Sequence, residues 1–409
     1  MAKTYGFGVV GTGFIGGVHG EAIQSLPNAR LVACCDTREE AAGAFAEKFG
    51  CAHYTDLGEM LRRDDLDVVS IATPSGLHME PAVAAAQAGK HALIEKPLDI
   101  TLERIDRILE AHAKAGTTVG GIFNGRFYPT AQLFKKAADQ GRFGRMTFGL
   151  AYGPWWRTQK YYDEGGWKGT LRYDGGGAYM NQGIHTIDML QWVMGPVARV
   201  TANVAVLAHE RIEVEDTGAA IVEFKNGAMG VMACATSMYP GHFRIVEVAG
   251  DKGTVAMADT KFFFWQFAEE TPEDEEIRKQ YLAFPAVGIG ASDPAAGVTG
   301  ALHVPNFADF LAAIDERREP LVSGPESRKS VEIILAIYQS ARTGRPVELP
   351  LKTAPPARKK VQPAGRRAAV QTKKTPPRKT KGKTTTGRTT TSRGKGASKP
   401  ARRRTKKTR

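Results

Sequence analysis

Continuous apolar runs and amphipathic runs alternate through the first third of the chain. Tyr5-Gly6-Phe7-Gly8-Val9-Val10, Leu31 to Cys35, Val68 to Ala72, His91 to Ile94 and Thr118 to Ile122 read as buried strands, with a shorter one near His53-Tyr54. Between them the spacing predicts helices over Glu39 to Phe49, Leu57 to Arg63, Pro81 to Ala88 and Thr101 to Ala115. Gly89 and Gly116 stop the last two, and Thr101 caps the longest, with Arg104 and Asp106 turned outward. This alternation predicts a doubly wound parallel sheet of the Rossmann type. From about Asn124 the pattern changes. A helix over Thr130 to Ala138 leads into longer strands with hairpin signals. Asn226-Gly227 lies between Ala220 to Phe224 and Met229 to Met232, and Gly250-Asp251-Lys252-Gly253 joins two more strands. The second part is therefore expected to be an α+β domain with a mainly antiparallel open sheet, closed by helices over Asn306 to Ile314 and Ser327 to Thr343. Residues 268–300, acidic and then rich in Gly, Ala and Pro, read as a long surface insertion.

Charge divides the chain once more. The net +13 averages two different objects. From Lys352 to Arg409 there are 22 Lys or Arg and no Asp or Glu, which leaves residues 1–351 with 34 basic and 43 acidic residues. The tail has no Phe, Trp, Tyr, Leu, Ile or Met, so it cannot bury enough apolar surface to offset the entropy of ordering, and disorder is expected. Three parts follow: 1–123, a dinucleotide-binding domain; 124–351, a domain for substrate and oligomerisation; and 352–409, a basic tail. The tail suits non-specific contact with nucleic acid through phosphate charge, and solubilisation is its plainer role. No run of about 18 apolar residues exists to span a membrane. Met1-Ala2-Lys3-Thr4 runs straight into the first strand without room for a signal peptide, and the four cysteines lack metal-ligand spacing. A cytoplasmic protein with reduced thiols is expected.

The first strand ends in Gly11-Thr12-Gly13-Phe14-Ile15-Gly16, and the second ends in Asp36, 20 residues past Gly16. Each part has a task at a dinucleotide. Gly11 permits the tight turn, Gly13 lets backbone approach a pyrophosphate, and Gly16 lets the helix pack closely. The N–H groups around Phe14 and Ile15 open a helix, where phosphate is favoured. Asp36 can accept from the adenine ribose hydroxyls and would repel a 2′-phosphate, which favours NAD. Arg38 beside it keeps NADP open.

Ligands of open α/β sheets bind beyond the carboxyl ends of the strands. Thr73, Pro74 and His78 follow one strand end, Glu95 and Lys96 another, and Asn124 the last, so all are candidate cofactor contacts. Lys96 can also polarise a substrate oxygen, since burial and a cationic ring both lower its pKa. In the second domain, Gly175 to Asp188 carries Asn181 and His185. If helical from Asn181, these two share a face, with Asp188 one turn beyond. His185 can then act as general base toward a hydroxyl, its other nitrogen held by a neighbour. His185 with Asp188 resembles part of a metal site, but further ligands at sensible spacing are missing, so no metal is expected. Trp155, Arg157, Tyr162 and Trp167, with Arg126, offer aromatic faces and donors suited to a polyhydroxylated ring; domain packing or a dimer interface is the other reading of the aromatic segment.

The motifs at 11–16, 72–78, 95–97, 124–127 and 175–188, in this order, make residues 5–350 resemble the Gfo/Idh/MocA oxidoreductases, the relatives of glucose–fructose oxidoreductase and inositol dehydrogenase. The resemblance implies NAD(P)-dependent oxidation or reduction of a sugar, sugar derivative or cyclitol, catalytic roles for Lys96 and His185, and a homo-oligomer, dimer or tetramer. Many members have Asp four residues before the histidine, where this chain has Asn181. Asparagine can bind a substrate but cannot take a proton, so proton transfer falls to His185 with Lys96 assisting. A rival reading is a non-catalytic dinucleotide-binding regulator that uses its tail on nucleic acid.

Overall fold

In the computed structural model, which describes residues 3–284, 291–293, 295, 297–351, 360 and 361, the first six strands form one parallel sheet. They are β1 (Tyr5–Val10), β2 (Ala29–Cys35), β3 (Ala52–Tyr54), β4 (Val68–Ile71), β5 (His91–Ile94) and β6 (Val119–Gly121). Their order, β3-β2-β1-β4-β5-β6, puts the reversal of strand order between β1 and β4. That reversal opens a crevice at the carboxyl edge. β1 is buried along its whole length, as its unbroken apolar run requires.

The second sheet holds β7 (Met146–Pro154), β8 (Val197–Ala205), β9 (Thr217–Phe224), β10 (Met229–Ala235), β11 (Ile245–Gly250), β12 (Gly253–Ala258), β13 (Lys261–Phe267) and β14 (Val347–Glu348). Their order is β13-β12-β11-β7-β10-β9-β8-β14, antiparallel except for the parallel pair β7–β10. The turn at Asn226-Gly227 joins β9 to β10, with Gly227 at φ +88° and the Asn226 side chain accepting from Ala228 N at 3.0 Å. Helices Ile184–Met194 and Gly324–Thr343 pack on this sheet.

Three expectations change. The helix expected to begin at Asn306 spans Gly300–Glu316 and packs on the first half of the molecule, not the second. Its Phe307, Phe310 and Leu311 are fully buried in one cluster with Tyr5, Phe7 and Val9. Each such side chain contributes about 1.5–3 kcal/mol by burial. The stretch 268–300 is not simply a surface insertion. Pro272–Tyr281 is a helix with a capping box between Thr271 and Asp274. Asp274 is fully buried, taking hydrogen bonds from Trp265 Nε1 at 2.7 Å and from Arg142 at 2.6 and 2.7 Å. Arg104 does not simply face outward either: it bonds the buried Asp99 at 2.8 Å, Glu80 at 2.7 Å and Gly76 O at 3.0 Å. Apart from 360 and 361, the basic tail lies outside the described residues, and with it the expectations of disorder and nucleic-acid contact.

Candidate active site

β1 ends in the glycine turn at the carboxyl edge of the first sheet. Gly11 has φ +90°, and a Cβ there would lie 2.7 Å from Ala72 O, so β1 and β4 can leave the sheet side by side only without a side chain. A Cβ on Gly16 would lie 2.1 Å from Gly11 O, which presses the helix onto its own turn. Gly13 differs: it is the N-cap of helix Phe14–Gln24, has no side-chain cap, and a Cβ there meets nothing within 4 Å. The first-turn N–H groups, those of Phe14 and the half-buried Ile15 among them, are left for a ligand. Phe14 is 57% exposed.

Asp36 is already set beside this turn. One carboxylate oxygen accepts from Thr12 N at 3.0 Å and Thr12 Oγ1 at 2.9 Å, the other from Arg38 N at 3.0 Å and Arg38 Nε at 3.2 Å. Burial pushes its pKa up, but the bonds from Arg38 and Thr12 outweigh burial and hold it below the usual carboxylate value. Arg38 is thereby paired with the acid. An open N-cap with an oriented acid alongside fits a dinucleotide.

Other strand ends contribute unequally. Thr73 and Pro74 follow β4, with Thr73 Oγ1 donating to Leu77 O at 3.0 Å, and Asn124 opens the turn after β6. His78 and Glu95 depart from the expected cofactor contacts. His78 is fully buried between Pro97 O and Thr73 O, both at 2.9 Å, and so ties the two loops together. Glu95 turns inward: His19 Nε2 lies 3.1 Å and His303 Nε2 3.7 Å from its carboxylate, whose other oxygen accepts from Lys96 N at 2.9 Å. These three offer donor atoms within 4.8 Å of one another, the one such metal-competent group among the described residues. Each side chain in it already has protein partners, and the group does not include His185 or Asp188.

Lys96, just past β5, reaches the second half of the molecule. Its Nζ donates to Asn181 O at 3.0 Å and lies 3.4 Å from Asn181 Oδ1. Burial lowers its pKa, as do Arg157 and Arg244, while Glu95 and Asp174 oppose them. Asn181 is not on the α-helix with His185. It sits in a wider, π-helical turn, Ala178–Gly183, and the α-helix begins at Ile184. His185 is half-buried with Phe123 edge-on at 6.0 Å between ring centres. Burial first, then the charges of Lys96 and Arg244, hold its pKa well below 6.5, so the ring is neutral near pH 7 and can accept a proton. Asp188, one turn beyond, does not hold the ring's second nitrogen. That acid is buried and takes Arg126 Nη2 at 2.7 Å, Arg126 Nε at 2.8 Å and Ser330 Oγ at 2.9 Å. Arg126, expected at the substrate, is 1% exposed and also pairs with Glu326 at 3.2 Å; it lines a cavity with His185, its donors turned to these two acids.

The aromatic segment is also more structural than its composition suggested. Tyr162 is buried with its hydroxyl 2.8 Å from Thr236 Oγ1, which corrects its assignment to the substrate. Trp155 is 8% exposed, with the guanidiniums of Arg157 and Arg244 over its ring at 5.0 and 5.4 Å. Trp167 is half-buried. Arg157 is buried and donates to Ala291 O at 3.0 Å. Among the described residues, Trp155 Nε1, Arg157 Nε and Gln182 Oε1 are buried without partners.

Two residues were not anticipated from sequence. Arg244 pairs with Asp259 at 2.8 Å and lines a cavity with His185, Phe123, Tyr128 and Met189. Asp174, directly before the three glycines, is 2% exposed and bonds Asn181 Nδ2 at 2.8 Å. Its position ahead of Gly175-Gly176-Gly177 was the signal that could have found it.

Residues 5–122 match the family model of the Gfo/Idh/MocA oxidoreductases, with its NAD-binding Rossmann fold, and residues 131–256 match the GFO/IDH/MocA C-terminal domain. Myo-inositol 2-dehydrogenase of Thermotoga maritima is 31% identical over 349 residues, covering 84% of this chain and 98% of that protein. Levoglucosan dehydrogenase of Pseudarthrobacter phenanthrenivorans is 27% identical over 391 residues, covering 84% of this chain and 97% of that one. The crystal structure of the WlbA dehydrogenase from Bordetella pertussis, in complex with NADH and UDP-GlcNAcA, is similar with a TM-score of 0.78 at 37% identity. That likeness covers 86% of this chain and 99% of the other.

Proposed function

Since this chain belongs to the Gfo/Idh/MocA family and is an NAD-dependent oxidoreductase of carbohydrate hydroxyl groups, we propose that His185 takes the hydroxyl proton while Lys96 stabilises the developing alkoxide. The observation that carries this reading is the meeting of Lys96 Nζ with Asn181, 3.0 Å from its carbonyl, beside a neutral His185. Gly11 to Gly16 and Asp36 would hold the dinucleotide, whose nicotinamide accepts or donates the hydride. A neutral imidazole can receive the proton as the C–H bond breaks, and an ammonium can carry the negative charge on oxygen. A non-catalytic regulator does not fit relatives that are dehydrogenases.

Within carbohydrates we favour a sugar bearing a negative charge. Arg157 and Arg244, both over the Trp155 ring, add positive charge at Lys96, Lys168 acts with Lys96 on Asp174, and the similar WlbA structure holds a nucleotide-linked sugar acid. Around this enzyme we place a homo-oligomer, supported by Phe148 and Met229, which face each other in register on adjacent strands at 42% and 52% exposure. A cytoplasmic setting is supported by four free cysteines. For the tail, salt-dependent contact with polyanions is the reading its 22 basic residues support.

The test is absorbance at the reduced-nicotinamide band, with NAD or NADP, against myo-inositol, neutral sugars, uronic acids and nucleotide-linked uronic acids. Oxidation of an acidic sugar is the expected result, and oxidation of the neutral compounds alone would remove the charge preference. Silence throughout, with NADH binding intact, would oppose the assignment of a catalytic Lys96–His185 pair. With an active compound, the oxidation rate should rise with pH along a limb below the usual histidine value of 6.5 and fall along one below the usual lysine value of 10.5.

A further inference from the structure

We propose that Asp174 is a positioning residue that adds a second counter-charge to Lys96, beside that of Glu95, through the side-chain amide of Asn181.

Among the described residues, the half-buried ammonium of Lys96 donates to the neutral Asn181 alone, and Arg157 and Arg244 add positive charge around it. A buried cation needs an acid near it to stay charged. Glu95, next in sequence, acts first on this ammonium, but its carboxylate is bonded by His19 and by the Lys96 backbone N–H and makes no bond to Nζ. The acid joined to the ammonium through a single side chain is Asp174. Asn181 Nδ2 donates to Asp174 Oδ1 at 2.8 Å, and Asn181 Oδ1 faces Lys96 Nζ at 3.4 Å. An amide between an ammonium and a carboxylate has one orientation that satisfies both, oxygen toward the cation and nitrogen toward the acid. Asp174 is itself fixed, because its Oδ2 accepts from Gly169 N at 2.8 Å and the residue is 2% exposed.

The groups acting on Asp174 are Lys96 from the end of β5, Lys168 and Asn181, and it acts in turn on the phenols of Tyr161 and Tyr162. Burial pushes its carboxyl up to about 6 against the bonds from Gly169 and Asn181 and the two lysines. The negative charge is therefore complete above that pH and fades below it, while the pH range in which Lys96 stays charged is widened upward. Asn181 cannot exchange a proton, so the link orients and polarises without carrying one.

This rests on Lys96 being the group that acts on the substrate oxygen, but its test needs no substrate. In NADH-bound full-length protein carrying 13C-labelled lysine, the Lys96 signal is assigned with Lys96→Met and titrated by NMR. In Asp174→Asn, Lys96 should titrate about 1 pH unit lower. The exchange Asp174→Asn with Asn181→Asp keeps an acid–amide pair but puts the carboxylate on Lys96, and should move the titration above that of the unaltered protein. NADH affinity should stay constant in both. An unmoved Lys96 titration in Asp174→Asn would overturn the proposal. Should that variant fail to fold, an exchange variant titrating no higher than the unaltered protein would overturn it equally.

Discussion

Two glycine-rich turns belong to the candidate site, and their glycines serve different ends. In the turn from Gly11 to Gly16, the outer two glycines satisfy the fold, and the middle one is open: a Cβ on Gly13 meets nothing within 4 Å. In the turn from Gly175 to Gly177 there is no such opening. A Cβ would lie 2.3 Å from Ile100 Cγ2 at Gly175, 2.2 Å from the Tyr338 hydroxyl at Gly176 and 1.7 Å from Glu215 O at Gly177. The first turn presents bare backbone to a ligand. The second is pressed into the protein so that Asp174 and Asn181, on either side of it, arrive beside Lys96. The wall proposed for the cofactor is backbone from one turn with the Asp36 carboxylate set beside it. The wall proposed for catalysis is made of side chains drawn from distant stretches and held by buried ion pairs and close packing.

If this division holds, damage to the second wall should appear as lost stability and damage to Gly13 as lost affinity. Arg126→Met should have the largest effect. It leaves the buried Asp188 without its cation, and breaking a buried pair costs about 3–5 kcal/mol. Denaturant unfolding measures this, and a normal midpoint with a raised KM would instead make Arg126 a substrate contact. Gly177→Ala comes next, at about 1–3 kcal/mol or more for forcing a methyl against the Glu215 carbonyl. It should also weaken the bonds that Gly177 N and Tyr179 N give to the Glu215 carboxylate, now 3.0 and 2.9 Å. Gly13→Ala should change the unfolding midpoint least and still weaken NADH binding in a fluorescence titration. A large loss of stability there, with affinity kept, would erase the difference between the two turns.

The same division explains what was legible in the chain. Gly11 to Gly16, Asp36 and the hairpin at Asn226-Gly227 could be read because the groups that determine them lie within a few residues or one strand–helix–strand unit. Asn181 could be read as a candidate but not placed. Helical spacing put it on one face with His185, whereas Glu215 binds the start of this segment and a π-helical turn runs to Gly183. Arg126 looked like a donor for a sugar because nothing nearby in sequence announces Asp188, 62 residues on, as its partner. The helix Gly300–Glu316 has an apolar face that any sheet could bury, and periodicity does not say that Phe307 will meet Phe7, 5.9 Å away between ring centres. Asp174 stands out by its place before three glycines, but such an acid reads as a turn residue until Asn181 and Lys96 are seen beside it.

Turnover and NADH affinity measured side by side in Lys96→Ala and His185→Ala, with whichever compound the absorbance panel identifies, test the assignment of chemistry to this pair most directly. Each substitution is expected to lower turnover by about 10²–10⁴-fold while leaving NADH affinity unchanged. Turnover within a few-fold of the unaltered enzyme in either variant would contradict the role given to that residue.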